Sequence, residues 1–329
     1  MKRRTKILLA IFIIAAVGLY VVNYVIPKTH GLMLKTTVVK YGDLPVSDDA
    51  KMVLVRAETL YSAASPGDVK YSASEGEKVR GGVQVVSIGS GTGGSTSSAI
   101  DKVMETAGGD MASAGNGRAA ASGVVSYYAD GYEKKLMPGS ISKMDSSLLG
   151  SLPKAGTSLK KDSVSQGQPL YKLVDNTMWY MVYWLPMNSN SGADYVKGAG
   201  VQVDFGKSAI DAVVHSVKVQ GDSIRIVLRS DEYYKDFARQ RVAEAQVILA
   251  HYQGLIAPLS SIAHRSAGDG VFVKQRSGSY KWIPVKIEQI IKDKCLLTPV
   301  SFTDASGTQV ASINYYDEIL TDPAKDGYK

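Results

Sequence analysis

The chain has 329 residues, 45% of them hydrophobic, with 38 Lys+Arg against 31 Asp+Glu and a formal net charge of +7. Lys2, Arg3, Arg4 and Lys6 sit in the first six positions, and without them the excess falls to +3. The basic balance is thus a property of one end, and with no basic stripe interleaved with aromatics it excludes a nucleic-acid partner. A single cysteine, Cys295, excludes an internal disulfide framework, and a chain of this size can bury enough core without one.

In chain order, residues 1–6 read as a cytoplasmic tail and 7–26 as a transmembrane anchor. The apolar run from Ile7 to Ile26 is interrupted only by Gly18, Tyr20, Asn23 and Tyr24. At 1.5 Å per residue it matches a hydrocarbon core of ~30 Å. The basic residues before it place the N-terminus in the cytoplasm. The following PKTHGLML offers no small-x-small cleavage site, so the run is expected to stay as an anchor and the bulk of the chain to be extracytoplasmic.

Beyond it a short pattern occurs twice. Val79, Gly82, Val85 and Ile88 form one copy; Val164, Gly167, Leu170 and Leu173 form the other. SPGDVKY at 65–71 and ASGVVSY at 121–127 precede them. A glycine between apolar positions belongs where the backbone takes a positive φ. Two such halves, 36–88 and 122–176, bury their apolar faces only by pairing, which predicts one split β-sandwich. Residues 89–121 are Gly/Ser/Ala-rich and read as a flexible insert with at most a short helix near Ala99–Thr106. A second short helix is expected around Ser140–Leu149. Residues 177–254 open with WYMVYWLP and continue in short strands, which predicts a small antiparallel barrel; DEYYKDFARQR within it could supply a helical turn or two. Residues 255–329 read as a β domain with strands around IAPLSSI, GVFVKQ, YKWIPVKIEQII and CLLTPV, then a polar tail.

The segments ETLYSAASPGDVKYSASEGEKVRGGVQVVSI, SGVVSYYADGYE, VSQGQPLYKLVDNTMWYMVYWL and GLIAPLSSI, in that order, resemble the membrane-fusion or periplasmic-adaptor family related to hemolysin secretion proteins. The resemblance implies a mainly β protein with a biotinyl/lipoyl-like sandwich, a β-barrel and a membrane-proximal domain. It implies an adaptor subunit of an export, efflux or envelope complex, working with an inner-membrane transporter and without catalysis of its own. Typical members carry a long antiparallel α-hairpin between the sandwich halves, whose tip meets an outer-membrane channel. Residues 89–121 lack heptads, so no such coiled coil is expected. That fits a cell with one membrane, or a relative used as a structural scaffold for envelope or division proteins. A homo-oligomer fits either role.

The rival signal is Gly89, Gly91 and Gly94, a G-x-G-x-x-G after a strand, with Asp110 at a plausible distance for a ribose-binding acid. It would make the chain a nucleotide-binding enzyme. Against it, the strand before Gly89 belongs to the repeat, and the chain lacks the helices that cover a parallel sheet. Gly206-Lys207-Ser208 reads as a strand-end turn, and Lys51 as a solvated lysine rather than a biotinyl site. His30, His215, His251 and His264 show no ligand spacing. Cys295 reads as a small buried hydrophobe. Trp179, Tyr180, Tyr183 and Trp184 read as a barrel-core strand rather than a binding face. No catalytic, cofactor-binding or metal-binding residue is assigned, and no cofactor is expected.

Overall fold

The computed structural model describes residues 13, 15, 17–19, 34–187, 195–234, 236–304 and 306–328, and the fold is mainly β. The expected tail and three quarters of the expected anchor at 7–26 lie outside the described residues. Among the described residues no helix is long and apolar enough to cross a membrane. The chain divides into two compact units, Ser47–Ala250 and a second formed by residues up to Val46 together with those from His251 onward.

In Ser47–Ala250 the two copies of the repeat interlock. Glu58–Ser62 pairs antiparallel with Pro169–Val174, which pairs in turn with Gly123–Ser126. Lys78–Val79 adds to Gly123–Ser126, and Ser163–Val164 pairs with Gly67–Tyr71. Each copy therefore completes a sheet begun by the other. Val79, Val85, Val125, Tyr127, Val164, Leu170 and Leu173 share one core. Gly82 and Gly167 adopt φ of 88° and 82°, and a Cβ would meet nothing within 4 Å at either. Their requirement is one of backbone conformation, not of space.

Residues 89–121 differ from the flexible insert expected of them. Helix Ser98–Ala107 buries Ile100 and Val103, the latter among Leu60, Ala129 and Leu159. Ala112–Ser113 then adds a parallel strand to the edge of Glu58–Ser62. The Val85 and Val86 amides donate to the Gly117 carbonyl at 2.9 and 3.1 Å, and the Ala119 amide to Val83 at 2.9 Å. Some of the glycines that read as a linker stand where chain segments touch: a Cβ on Gly94 or Gly117 would stand 2.5 or 2.0 Å from a carbonyl oxygen, whereas Gly108, Gly109 and Gly115 have open space and positive φ.

The single helix expected at Ser140–Leu149 is two pieces, a 3₁₀ turn Pro138–Lys143 and a helical turn Leu148–Ser151. Asp145 interrupts them, its carboxylate accepting from the Ser147 amide at 2.9 Å as in an Asx turn. Leu136, Ile141, Met144 and Leu152 from this segment pack with Val53, Val55, Val182, Val227 and Val242.

The barrel closes with six strands. Gly200–Asp204 pairs on one side with Ala209–Gln220 and on the other with Val242–Pro258; the circuit runs on through Ser223–Ser230, Trp179–Pro186 and Lys40–Val55. Its sixth strand comes from ahead of the sandwich, which corrects the assignment of residues 36–55 to a sandwich half. Trp179, Met181, Tyr183 and Leu185 enter the barrel core, whereas Tyr180 and Trp184 face the opposite side, as alternation along a strand requires. The expected helical turns at 231–241 are a turn that buries Phe237 and Ala238.

In the second unit Thr36–Val38 pairs with Glu318–Leu320, and Gly268–Lys274 pairs with Ala263–Arg265 and Tyr280–Pro284. Ile287–Ile291 and Lys294–Leu297 form a hairpin that continues onto residues 255–258. Val39, Leu255, Ala257, Val271, Cys295 and Ile319 form its core. The expected single strand YKWIPVKIEQII is split after Pro284, a residue without a donor for the ladder.

Candidate functional site

Six ionisable side chains are buried together within Ser47–Ala250: Arg56, Lys172 and Arg241 against Glu58, Asp130 and Glu133. The chain brings them together from separate segments of sandwich and barrel. Arg56 and Glu58 flank the step from the barrel strand Lys40–Val55 into Glu58–Ser62. Asp130 and Glu133 follow the strand Tyr128–Ala129, Lys172 lies in Pro169–Val174, and Arg241 precedes Val242–Pro258.

Arg241 holds Asp130 with both prongs of its guanidinium, at 2.7 and 3.1 Å, and also donates to Glu58 Oε2 at 3.0 Å. Lys172 Nζ donates to the same Glu58 oxygen at 2.8 Å and stands 3.6 Å from Glu133. Arg56 donates to the other Glu58 oxygen and to the Phe237 carbonyl, and its Nη2 reaches the Gln240 carbonyl at 2.7 Å. Glu58 Oε1 is thus claimed by Arg56, and Oε2 is shared by Lys172 from the sandwich and Arg241 from the barrel side. Around the cluster Tyr233 donates to the Gly76 carbonyl at 3.0 Å, Arg239 lies over the Tyr128 ring at 4.5 Å, and Ala155 bridges Gln240.

Burial by itself would push the Glu58 carboxyl up, but Arg241, Arg56 and Lys172 together hold it well below the ordinary carboxylate range. Asp130 follows: burial opposes ionisation and Arg241 overcomes it. Glu133 goes the other way. Burial raises it, Lys172 offsets too little, and Asp130 and Glu58 add repulsion. Its Oε1 accepts from the Asp130 amide at 3.0 Å, while Oε2 is buried with no hydrogen-bond partner among the described residues. With directional bonds on both sides, such a cluster favours one orientation of barrel on sandwich, where an apolar contact would allow sliding.

The sequence-predicted positions lie elsewhere. Gly89, Gly91 and Gly94 are packing glycines. The Gly89 amide is spent on the Asp68 carbonyl at 2.8 Å, and a Cβ on Gly94 would stand 2.5 Å from the Ser163 carbonyl oxygen. Asp110 is exposed, 3.9 Å from Lys134. No dinucleotide cradle forms there, since the phosphate-facing amide and space are both used. Gly206-Lys207-Ser208 is a strand-end turn with Gly206 at φ 84°. Lys51 is exposed and donates to the Leu149 carbonyl at 3.2 Å. His251 pairs with Asp43 at 2.7 Å, His264 with Asp269 at 2.6 Å, and His30 lies outside the described residues. Among the described residues no group of His, Cys, Asp and Glu could hold a metal ion. Cys295 is buried against the Ala257 carbonyl, and burial pushes its thiol up to about 11.

The ionic cluster was missed in the sequence, though a signal exists. Arg56 and Glu58 interrupt VLVRAETLY, and Lys172 interrupts PLYKLV. A charge inside a continuous apolar strand is either an outward-facing residue or a buried partner.

Two family models match the chain: RND related, barrel-sandwich hybrid domain, over residues 58–175, and RND related, beta-barrel domain, over residues 179–251. Together the two models span more than half of the chain, which therefore carries an RND-related barrel-sandwich hybrid domain followed by an RND-related beta-barrel domain. Similar solved structures include MacA from Actinobacillus actinomycetemcomitans, at 12% identity and a TM-score of 0.36, covering 88% of this chain and 99% of that one. ZneB from Cupriavidus metallidurans is similar at 10% identity and a TM-score of 0.26, covering 88% and 92%. No curated protein matches.

Proposed function

We propose that this chain is a membrane-anchored, extracytoplasmic adaptor subunit of an export or envelope complex, acting by protein contacts and without catalysis. Residues 7–26 would hold it in the membrane with the N-terminus in the cytoplasm. The observation that carries the reading is the RND-related barrel-sandwich hybrid joined to the RND-related barrel through the buried ionic cluster. An adaptor that holds two partners in a fixed arrangement is better served by a joint with one preferred orientation than by a sliding contact.

A second reading, a scaffold for envelope or division proteins, is favoured by one feature. Between the sandwich halves the chain has a single ten-residue helix, Ser98–Ala107, where typical members have a long hairpin. Crosslinking in native membranes followed by pull-down separates the two. An inner-membrane transporter among the captured proteins supports the adaptor; division or wall-synthesis proteins alone support the scaffold. Topology is checked by labelling single cysteines after Pro27 in a Cys295→Ala background. Labelling only in broken cells would refute the extracytoplasmic placement.

A further inference from the structure

Four cations of the described chain are buried: Arg56, Lys172, Arg241 and Arg225. The first three share three carboxylates. Arg225, 6% exposed on the strand Ser223–Ser230, has none within ion-pairing distance among the described residues. Its Nη1 donates to the carbonyls of Ile141, Ser142 and Met144 at 3.0, 3.2 and 3.0 Å. Its Nε is buried without a partner. A buried charge met only by neutral carbonyls, with a donor left over, is costly unless an anion completes it.

Arg225 lines a cavity of about 370 Å³ whose other charged or chargeable walls are Lys197, His215 and Lys218, with Tyr180 beside them and no carboxylate among the described lining residues. The ladder to Ser223–Ser230 slips between Val214 and Ser216, so His215 is the extra residue of a β-bulge. Bulges re-aim side chains, and here the imidazole stands edge-on to the Tyr180 ring at 5.3 Å. Ser142 and Ser216 bring two hydroxyls to the same walls.

We propose that this cavity binds a phosphoryl group, with Arg225 as the buried anchor and Lys197 and Lys218 as the outer charges. Three fixed positive charges exceed what one carboxylate neutralises, whereas a phosphate monoester carries about −1.5 to −2 at neutral pH. A guanidinium presents a planar fork suited to phosphate oxygens. The group can reach the cavity on a soluble phosphate ester or on a phospholipid headgroup. The inference is independent of whether the chain serves a transporter or a scaffold.

The test is calorimetric titration of the full chain in detergent at low salt with three probes: inorganic phosphate, glycerol 3-phosphate, and dihexanoyl phosphatidic acid, whose headgroup is a phosphate monoester, below its micelle concentration. Saturable binding of at least one probe is expected. Losing one charged hydrogen bond should weaken it about tenfold or more, both in Arg225→Gln and in the double variant Lys197→Gln/Lys218→Gln. The double variant changes only exposed side chains, so it decides the matter if Arg225→Gln does not fold. Binding of the soluble probes supports a free phosphate ester as the source; binding of the lipid alone supports a headgroup. No saturable binding of any probe, or binding undiminished in the double variant, overturns the proposal.

Discussion

Replacing Arg241 by methionine tests whether the ionic cluster holds sandwich and barrel together. Arg241 is fully buried and serves Asp130, Glu58 and the Leu54 carbonyl. Its loss leaves Asp130 buried without its cation and a cluster of two cations against three carboxylates. Breaking a buried pair in this way costs about 3–5 kcal/mol. At about 2–4 °C per kcal/mol for a unit of this size, the melting midpoint should fall by about 6–20 °C. The assay is thermal and urea unfolding of the full chain in detergent, followed by circular dichroism. Adding Asp130→Leu restores charge balance and should recover a substantial part of the loss, a coupling that the double-mutant cycle measures. A single variant within about 1 kcal/mol of wild type, or a double variant no more stable than the single, would refute the reasoning.

Further outcomes follow from the same structure. Glu58 and Asp130 have folded pKa values below their unfolded ones, so their stabilisation is present above the ordinary glutamate value of 4.5 and is lost as pH falls beneath it; acid titration of stability should show this loss, and a flat profile there would count against it. Glu133 is shifted upward, so its contribution is favourable in acid and lost as pH rises through the shifted value. Glu133→Gln should therefore be more stable than wild type at neutral pH, with the gain vanishing on acidification. Gly82→Val or Gly167→Val should cost about 1–3 kcal/mol in urea unfolding, because φ is positive at both, and asparagine should cost less. Ile100→Ala should cost about 2–5 kcal/mol, since its helix is packed; a neutral result would return residues 89–121 to the role of a tether.

The repeat was legible because each copy carries its own local requirement. Gly82 and Gly167 mark positive φ, and the apolar positions around them mark strand faces, so both were visible without knowing the partner strand. The barrel strand beginning at Trp179 was legible as a strongly β-prone run of aromatic and branched residues. Residues 89–121 were misread because glycine, serine and alanine look alike in a tether and in a close-packed edge. What separates the two is the Val86 carbonyl waiting 2.0 Å from a Cβ on Gly117, and that carbonyl belongs to a distant strand.

The sequence by itself determined the elements with short-range causes: the apolar run at 7–26 and its basic flank, the two glycine turns, and the mainly β character. Tertiary structure alone decided three things. The strand Lys40–Val55 closes the barrel rather than the sandwich, because strand pairing depends on which edge is open and not on the strand's own residues. Glu58 became the centre of a six-charge cluster, because its partners at 56, 130, 133, 172 and 241 meet only when sandwich and barrel are joined. Among the described residues Arg225 was left without a carboxylate for the same reason in reverse: whether a buried charge is compensated depends on what folding brings within a few ångströms of it.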